Sequence, residues 1–207
     1  TAVSTYALIR DETAERKAAT FLLGDNLERT TQGGGIYTYT SQQGAAAFRD
    51  TGSFDAAGSL SQENAEAFCR DFCKAFSYDT PIFTLDETGS GTATAVRLWN
   101  GTPVFNAAVT FTIDQGRVLS ASGALLPETG AETSSGQKPL SAFAALTAFQ
   151  QMRHASSSVV SSITEVSLCY ELQSTTAAPM ALVPSWRIVT DTATFYVNCI
   201  SGTVRRA

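Results

Sequence analysis

Two segments of the sequence begin alike and constrain the fold most strongly. The segments LSQENAEAFCRDFCKAF (60–76) and LSAFAALTAFQQMR (140–153) both open with Leu-Ser. In each, the serine can act as a helix N-cap and the leucine before it can pack on the first turn. Runs of strand-forming residues of similar length follow each predicted helix. We therefore predict two copies of one module, a helix followed by an antiparallel sheet.

The first of these helices, predicted at 61–77, has a clear apolar stripe. Its apolar side chains recur at the spacing i, i+3, i+4, i+7, which is typical of a helix with one buried face. We expect this helix to cover the apolar side of the sheet that follows it. The stripe consists of Ala65, Phe68, Cys69, Phe72, Cys73 and Phe76.

Two turn signals predict the strand register of the first sheet. Asn100-Gly101 favours a two-residue hairpin that pairs Leu98 with Pro103 and Val96 with Phe105. Asp114-Gln115-Gly116 suits a three-residue loop, which pairs Phe111 with Leu119. Together these turns predict a three-stranded meander with one apolar face. That face carries Phe105, Ala107, Val109, Phe111, Leu119, Ala121 and Leu125.

The last module can be treated in the same way. A two-residue turn at Asp191-Thr192 pairs Ile188 with Phe195, Trp186 with Val197 and Pro184 with Cys199. A second turn, at Ser201-Gly202, pairs Cys199 with Val204. Cys199 is then interior, whereas alternation along 162–172 turns Cys169 outward. Cysteines on opposite faces of a sheet cannot form a disulfide, and Cys69 and Cys73 lack the spacing of a redox or zinc motif. We predict four free thiols and no metal site.

These patterns define the predicted organisation. We expect an α+β fold of tandem modules, each with one helix packed on an antiparallel β-sheet, and a small N-terminal helix-hairpin unit. The N-terminal unit would contain a helix around 5–29 and short β-hairpins. The polar segment PETGAETSSGQK is rich in turn-forming residues, which indicates a linker. The predicted divisions are 1–59 for the N-terminal unit, 60–126 for module 1, 127–138 for the linker and 139–207 for module 2.

Composition excludes some classes of function. The formal net charge is −5, and no cluster of Lys and Arg forms the basic stripe that nucleic-acid binding needs. No apolar run approaches the length of a membrane span of about 18 residues. Because the chain begins at Thr1, we interpret it as a mature form cut after a removed leader or anchor.

Few residues indicate catalysis. The single histidine, His154, lies at the predicted end of the second helix, where it is more often a cap favoured by the helix dipole than a base. No nucleophile elbow, zinc motif or P-loop is present. We expect a protein that is not an enzyme and that needs no cofactor. An enzymatic alternative would centre on His154 or Cys169.

The strands of both modules resemble those of a known family. The segments 101–127 and 182–204 resemble the extracytoplasmic regions of YycI/YycH-type regulatory proteins, and more loosely PepSY-like or cystatin-like modules. The resemblance covers about 61–207. The residues that match the pattern of the last strands are Pro184, Trp186, Ile188, Tyr196, Val197, Asn198, Gly202 and Val204.

The resemblance implies a non-catalytic regulator on the outer face of a bacterial cell membrane, tethered by an N-terminal anchor outside this chain. It implies membrane partner proteins such as a sensor histidine kinase complex. The outer face of the last sheet, with Arg187, Tyr196 and Asn198, is the expected interaction surface. The alternative is a module that binds a small ligand or a peptide on the sheet face or an edge strand. YTYT (37–40), with Tyr37 and Tyr39, is the candidate exposed strand.

Overall fold

The computed structural model describes residues 3–61, 64–133, 138–156, 159–174 and 178–207. The chain divides into two compact units, one formed by residues 8–129 and the other by residues 1–7 together with 130–207. The sequence suggests 1–59 as a separate N-terminal unit, but its residues 8–59 lie in the same compact unit as residues 60–129. Part of the predicted linker, 134–137, lies outside the described residues.

The protein is mostly β, so the prediction of tandem modules with one helix on each sheet is wrong. The described residues form fourteen strands and only three helices, of 12, 11 and 15 residues. The prediction failed because it treated each Leu-Ser helix as the start of an independent module. The N-terminal strands instead pair with strands that follow the first of these helices.

The larger unit contains eight antiparallel strands and two helices. The strands lie in the order β6-β7-β8-β9-β5-β4-β3-β2, so β2 is at one end. The pairing of β5 with β9, for example Ser53 with Ala124, joins the N-terminal strands to the predicted meander. The elements are α1 (Glu12–Leu23), β2 (Glu28–Gln32), β3 (Ile36–Ser41), β4 (Gly44–Phe48), β5 (Ser53–Gly58), α2 (Ala65–Ala75), β6 (Ile82–Leu85), β7 (Gly91–Trp99), β8 (Thr102–Asp114) and β9 (Arg117–Ala124).

The first helix of this unit is shorter than predicted. Asp11 caps α1 because its carboxylate accepts hydrogen bonds from the backbone N–H groups of Thr13 and Ala14. The helix ends at Leu23, before Gly24, whose φ of 81° favours glycine. The predicted helix around 5–29 therefore included residues before the cap and residues of β2.

The predicted apolar stripe of α2 is largely confirmed. Cys69, Phe72 and Cys73 are buried, and Phe68 packs half-buried against the same core. The N-cap is Asn64, whose side chain accepts a hydrogen bond from the N–H of Ala67, and not the predicted Ser61. Phe72 is the centre of the core, since its ring contacts the rings of Phe21, Phe54, Phe76, Tyr78 and Phe111.

The hairpin at Asn100-Gly101 is confirmed, but its register holds only near the turn. Leu98 pairs with Pro103 as predicted, whereas Val96 pairs with Ala108 and not with Phe105. An irregularity between Val96 and Arg97 shifts the register. The turn rule does not predict this shift because a turn fixes the register only until the first bulge.

The second turn of the meander differs from the prediction. Asp114 pairs with Arg117, so Gln115 and Gly116 form a two-residue turn, and both have positive φ. A later register shift makes Leu119 the extra residue and leaves it 39 % exposed. Val118 is buried in its place, and Phe111 pairs with Ala121. The predicted pairing of Phe111 with Leu119 is therefore wrong.

The smaller unit contains a four-stranded antiparallel meander and one helix. Trp186 pairs with Val197 and Ile188 with Phe195, which confirms the predicted turn at Asp191-Thr192. Val204 pairs with Val197 and not with the predicted Cys199. The elements are β1 (Tyr6–Leu8), β10 (Ala131–Glu132), α3 (Ala142–Ser156), β11 (Ile163–Gln173), β12 (Met180–Thr190), β13 (Thr194–Asn198) and β14 (Val204–Arg206).

One face of this meander packs on α3. Ser141 caps the helix as predicted, because its hydroxyl accepts a hydrogen bond from the N–H of Ala144. The ring of Phe149 lies 4.9 Å from that of Phe195 between their centroids. The indole N–H of Trp186 donates to the carbonyl of Leu140, which holds the start of the helix against the sheet. Among the helices of the described residues, none is long and apolar enough to cross a membrane.

Replacing Phe72 by Ala should destabilise the larger unit strongly. The substitution removes a fully buried ring from the centre of an aromatic cluster, which costs about 3–5 kcal/mol of the free energy of unfolding. Phe143→Ala is the matched control, because it deletes the same atoms from a side chain that is 80 % exposed and should change stability by less than about 0.5 kcal/mol. Chemical denaturation measures both. Equal effects would contradict the assigned core.

Candidate functional site

The exposed edge strand β2 is the first candidate site. All five residues of β2 (Glu28–Gln32) are exposed, and among the strands that the structure describes β2 pairs with β3 alone. An edge strand of this kind presents a row of backbone N–H and C=O groups to any extended chain that approaches it. The strand contains no proline, so each of its residues retains its backbone donor.

The predicted exposed strand, YTYT at 37–40, lies one strand further in. It forms part of β3, which pairs with β2 on one side and with β4 on the other. Tyr39 is buried at 2 % exposure, and Tyr37 is half-buried. The prediction that 37–40 is an exposed strand is therefore wrong, although it falls next to the true edge.

Tyr37 lies between two guanidinium groups. The carbon of the Arg10 guanidinium is 3.8 Å from the ring centroid of Tyr37, and that of Arg29 is 4.0 Å from it. The phenol of Tyr37 donates a hydrogen bond of 3.1 Å to Glu12, which also accepts one of 3.0 Å from Arg29. These contacts fix the side chain of Arg29 against the helix side of the sheet.

Arg10 anchors this arrangement. Its guanidinium donates to both carboxylate oxygens of Glu15, at 2.6 and 2.9 Å, and to the carbonyl of Phe48 at 3.0 Å. It also donates to the carbonyl of Gly35. Burial raises the pKa of Glu15, and the bonds from Arg10 oppose that rise. The start of α1 is thereby tied to the β3–β4 strands.

A cavity of about 430 Å³ lies between α1 and the strands β2 and β3. The two arginines that line the cavity differ in whether they have an ion-pair partner. Arg29 binds Glu12, whereas Arg16 makes no ion pair or hydrogen bond with the residues that the structure describes. The residues that line the cavity are Glu12, Thr13, Arg16, Leu27, Arg29 and Tyr39.

The hydroxyl of Tyr39 belongs to the same cavity. It makes no hydrogen bond within the described part of the chain, although the residue is buried. Burial raises the pKa of this phenol, and the charges of Arg29 and Arg16 lower it. The cavity is thus lined by the unpaired guanidinium of Arg16, by the guanidinium of Arg29, which binds Glu12, and by the hydroxyl of Tyr39, which makes no hydrogen bond with a described residue.

The second candidate site is the face of the smaller unit that carries Arg187 and Tyr196. These two residues lie opposite each other on β12 and β13. Arg187 donates a hydrogen bond of 2.9 Å to Glu165, and bonds from Ser167 and from Arg187 lower the pKa of that carboxyl. The side chain of Asn198 instead accepts from the N–H groups of residues 200 and 201, so it closes a turn.

The same face contains a buried carboxylate that the sequence did not single out. Glu171, 4 % exposed, accepts a hydrogen bond of 2.7 Å from Ser185 and pairs with Arg205. The guanidinium of Arg205 lies 5.1 Å from the ring centroid of Tyr196. The strand alternation places Glu171 on this face, but only the observed register of β14 brings Arg205 to it. The pair ties the C-terminal strand to β11.

The four cysteines are free and buried. Cys169 lies on the predicted face of β11, beside Ser167 and Glu171, but the prediction that this turns it outward is wrong, because side chains pack on both faces of β11 and Cys169 is fully buried. Cys199 is interior, as predicted. Burial raises the pKa of all four thiols to about 12. A thiol with such a pKa is protonated at neutral pH and is a poor nucleophile.

His154 is exposed near the end of α3, as its sequence position suggests. Within the described ranges, no group of three or more His, Cys, Asp or Glu side chains is arranged to hold a metal ion.

Comparisons with known proteins give a fold but no family. No protein-family model and no curated protein matches the sequence. The structure is similar to that of an uncharacterised protein from Eubacterium rectale, with a TM-score of 0.55 and 13 % identity, over 99 % of this chain and 81 % of that one. At this identity the similarity shows a shared fold alone.

A second solved structure, the C-terminal domain of Bacillus megaterium YpeB, is similar with a TM-score of 0.42 and 14 % identity, over 96 % of this chain and 98 % of that one. That TM-score is too low to establish a common fold. Neither structure is described as a YycI- or YycH-type protein, so the sequence resemblance to those proteins stays an expectation.

All four thiols should resist a thiol reagent in the folded protein. Their burial and raised pKa predict slow reaction with Ellman's reagent at pH 8 and rapid reaction of four thiols once denaturant is added. Absorbance at the wavelength of the released chromophore measures both rates. A thiol that reacts equally fast in the folded and the denatured protein would contradict the assigned burial.

Proposed function

We propose that this protein is a non-catalytic interaction module in which β2 binds an extended segment of a partner protein. The observation that carries the proposal is the full exposure of β2 along an edge with one described partner strand. Addition of a strand to such an edge uses main-chain hydrogen bonds for affinity and pockets beside the edge for specificity. The cavity that Arg29 lines supplies such a pocket.

The one cation of β2 does not shield its edge, and the other charged residue, Glu28, lies at the first position of the strand. Proteins commonly block exposed edges with charged side chains or proline. Arg29 is the only cation of β2, and its guanidinium packs over Tyr37 and pairs with Glu12. Because these contacts hold the side chain of Arg29 on the helix side of the sheet, it does not cover the backbone N–H and C=O groups of the edge.

The chemistry of the side chains supports a binding role. The four thiols are protonated at neutral pH because burial raises their pKa to about 12. The buried carboxylate of Glu171 is engaged by Ser185 and Arg205. These groups hold the fold together, whereas Arg16 and the hydroxyl of Tyr39, which line the cavity beside β2, have no hydrogen-bond partner among the described residues.

We further propose that the partner is a membrane protein outside the cytoplasm, such as a component of a sensor histidine kinase complex. This proposal rests on the resemblance of 61–207 to YycI/YycH-type proteins, carried by Trp186, Tyr196 and Asn198 among other residues. The prediction that Tyr196 lies on an exposed outer face is wrong, because the residue is buried at 8 % exposure and Glu171 on the same face at 4 %. The proposed contact with the partner is therefore placed at β2 and not on this face.

A pair of proline variants tests strand addition. Neighbouring residues of an edge strand point their N–H groups in opposite directions, so one of Thr30→Pro and Thr31→Pro removes an outward donor and the other removes a bond to β3. The probe is a peptide of alternating threonine and valine about eight residues long, which strongly favours a strand. Fluorescence polarisation measures its affinity.

We expect one proline variant to keep the protection of the β3 amides against hydrogen exchange and yet lose peptide binding about tenfold or more. The wild-type chain and the exposed substitution Thr30→Ser serve as controls. Failure of the wild type to bind the peptide, or unchanged binding by both proline variants, would contradict the role of β2.

Recovery of partners from membranes tests the proposed partner class. The tagged wild-type chain should recover a specific protein from detergent-solubilised bacterial membranes, and the folded proline variant with impaired peptide binding should recover it poorly. Mass spectrometry of both samples measures the difference. Recovery of the same proteins in equal amounts by both chains would contradict a membrane partner at this edge.

A further inference from the structure

We propose that the cavity between α1 and the strands β2 and β3 binds a carboxylate, the side chain of a glutamate or aspartate in the segment that pairs with β2. This inference rests on the proposed function of β2 and names the chemistry of its partner. The cavity, about 430 Å³, is large enough for an acidic side chain, and Arg29 belongs both to its lining and to the edge strand.

The charges that line the cavity favour an anion. Its charged lining residues are Arg16, Arg29 and Glu12, so one positive charge is in excess. Glu12 already binds Arg29 and accepts a hydrogen bond from Tyr37. Arg16 has no acceptor among the residues that the structure describes. An entering carboxylate would therefore find its strongest attraction at the guanidinium of Arg16.

The available donors match the acceptors of a carboxylate. A guanidinium presents five N–H donors, and a carboxylate accepts two of them side by side. The hydroxyl of Tyr39, a buried residue that lines the cavity, adds a neutral donor that no described residue uses. Arg29, which donates one hydrogen bond to Glu12, retains further N–H groups. Three side chains can thus converge on one anionic group.

The position of the cavity explains why the carboxylate would come from a paired strand. Arg29 lies opposite Tyr39 in the β2–β3 register, so both side chains are on the face that packs against α1. A strand added beside β2 would lie about 4.8 Å away and would direct every second side chain to the same face. An acidic residue at such a position lies next to Arg29 and the cavity.

The test compares two peptides that differ in one residue. Each is the threonine-valine peptide used above, with either glutamate or glutamine at a central position, and glutarate alone serves as a free carboxylate. We expect the glutamate peptide to bind the wild-type chain about tenfold more tightly than the glutamine peptide. Glutarate should compete only at much higher concentration, because it lacks the main-chain hydrogen bonds.

Two substitutions should lower the preference for glutamate, Arg16→Gln the more strongly, without removing binding of the glutamine peptide. Arg16→Gln removes the unpaired cation, and Tyr39→Phe removes only the hydroxyl and keeps the buried ring. Lys17→Gln is the matched control, because Lys17 is an exposed cation of α1, as Arg16 is, but it packs over Phe76 and does not line the cavity. It should leave the preference intact.

The outcomes separate the two proposals. Equal affinity for both peptides, or a preference that Arg16→Gln and Lys17→Gln reduce alike, would overturn the carboxylate site while leaving strand addition at β2 in place. Tight binding of glutarate that the proline variants do not affect would also overturn it, since the cavity would then bind a free carboxylate independently of the edge. Failure of both peptides to bind the wild type contradicts the function of β2 itself.

Discussion

The antiparallel pairing of β5 with β9 is the contact on which the larger unit depends. It joins the strands of residues 28–58 to the meander of residues 91–124, and so places both α1 and α2 over one apolar core. Phe54 of β5 and Phe72 of α2 approach within 6.3 Å between ring centroids across this junction. Because the order of strands continues outward from β5, the same pairing leaves β2 as the exposed edge.

The interactions of Arg10 and Arg29 then determine what that edge can do. Arg10 binds Glu15 and two backbone carbonyls, which holds α1 on the β3–β4 strands. Arg29 packs on Tyr37 from the opposite side and is held there by Glu12. The one cation of the edge strand, Arg29, therefore packs against Tyr37 and does not shield the edge, while Arg16 and the hydroxyl of Tyr39 remain available in the adjoining cavity.

Local sequence signals predicted the local structure well and the longer-range pairing poorly. The Asp191-Thr192 turn gave the correct pairing of Trp186 with Val197 and, by the same register, the buried position of Cys199. The register failed where a bulge intervened, as at Leu119, because a bulge reverses the inward and outward faces without a distinct residue signature. The pairing of β5 with β9 has no local signal, since it joins strands separated by the helix α2 and the three strands β6, β7 and β8.

The candidate sites were predictable to a similar degree. Tyr37 and Tyr39 drew attention to the correct hairpin, but the edge and the arginines around it depend on how the hairpin is packed.

Binding of a strand at β2 is tested by hydrogen exchange at the amides of residues 28–32, with and without the glutamate peptide. If the peptide adds to β2 as a strand, the outward-facing amides of β2 become protected when it binds. Unchanged exchange in β2, with new protection elsewhere in the chain, would contradict strand addition at this edge.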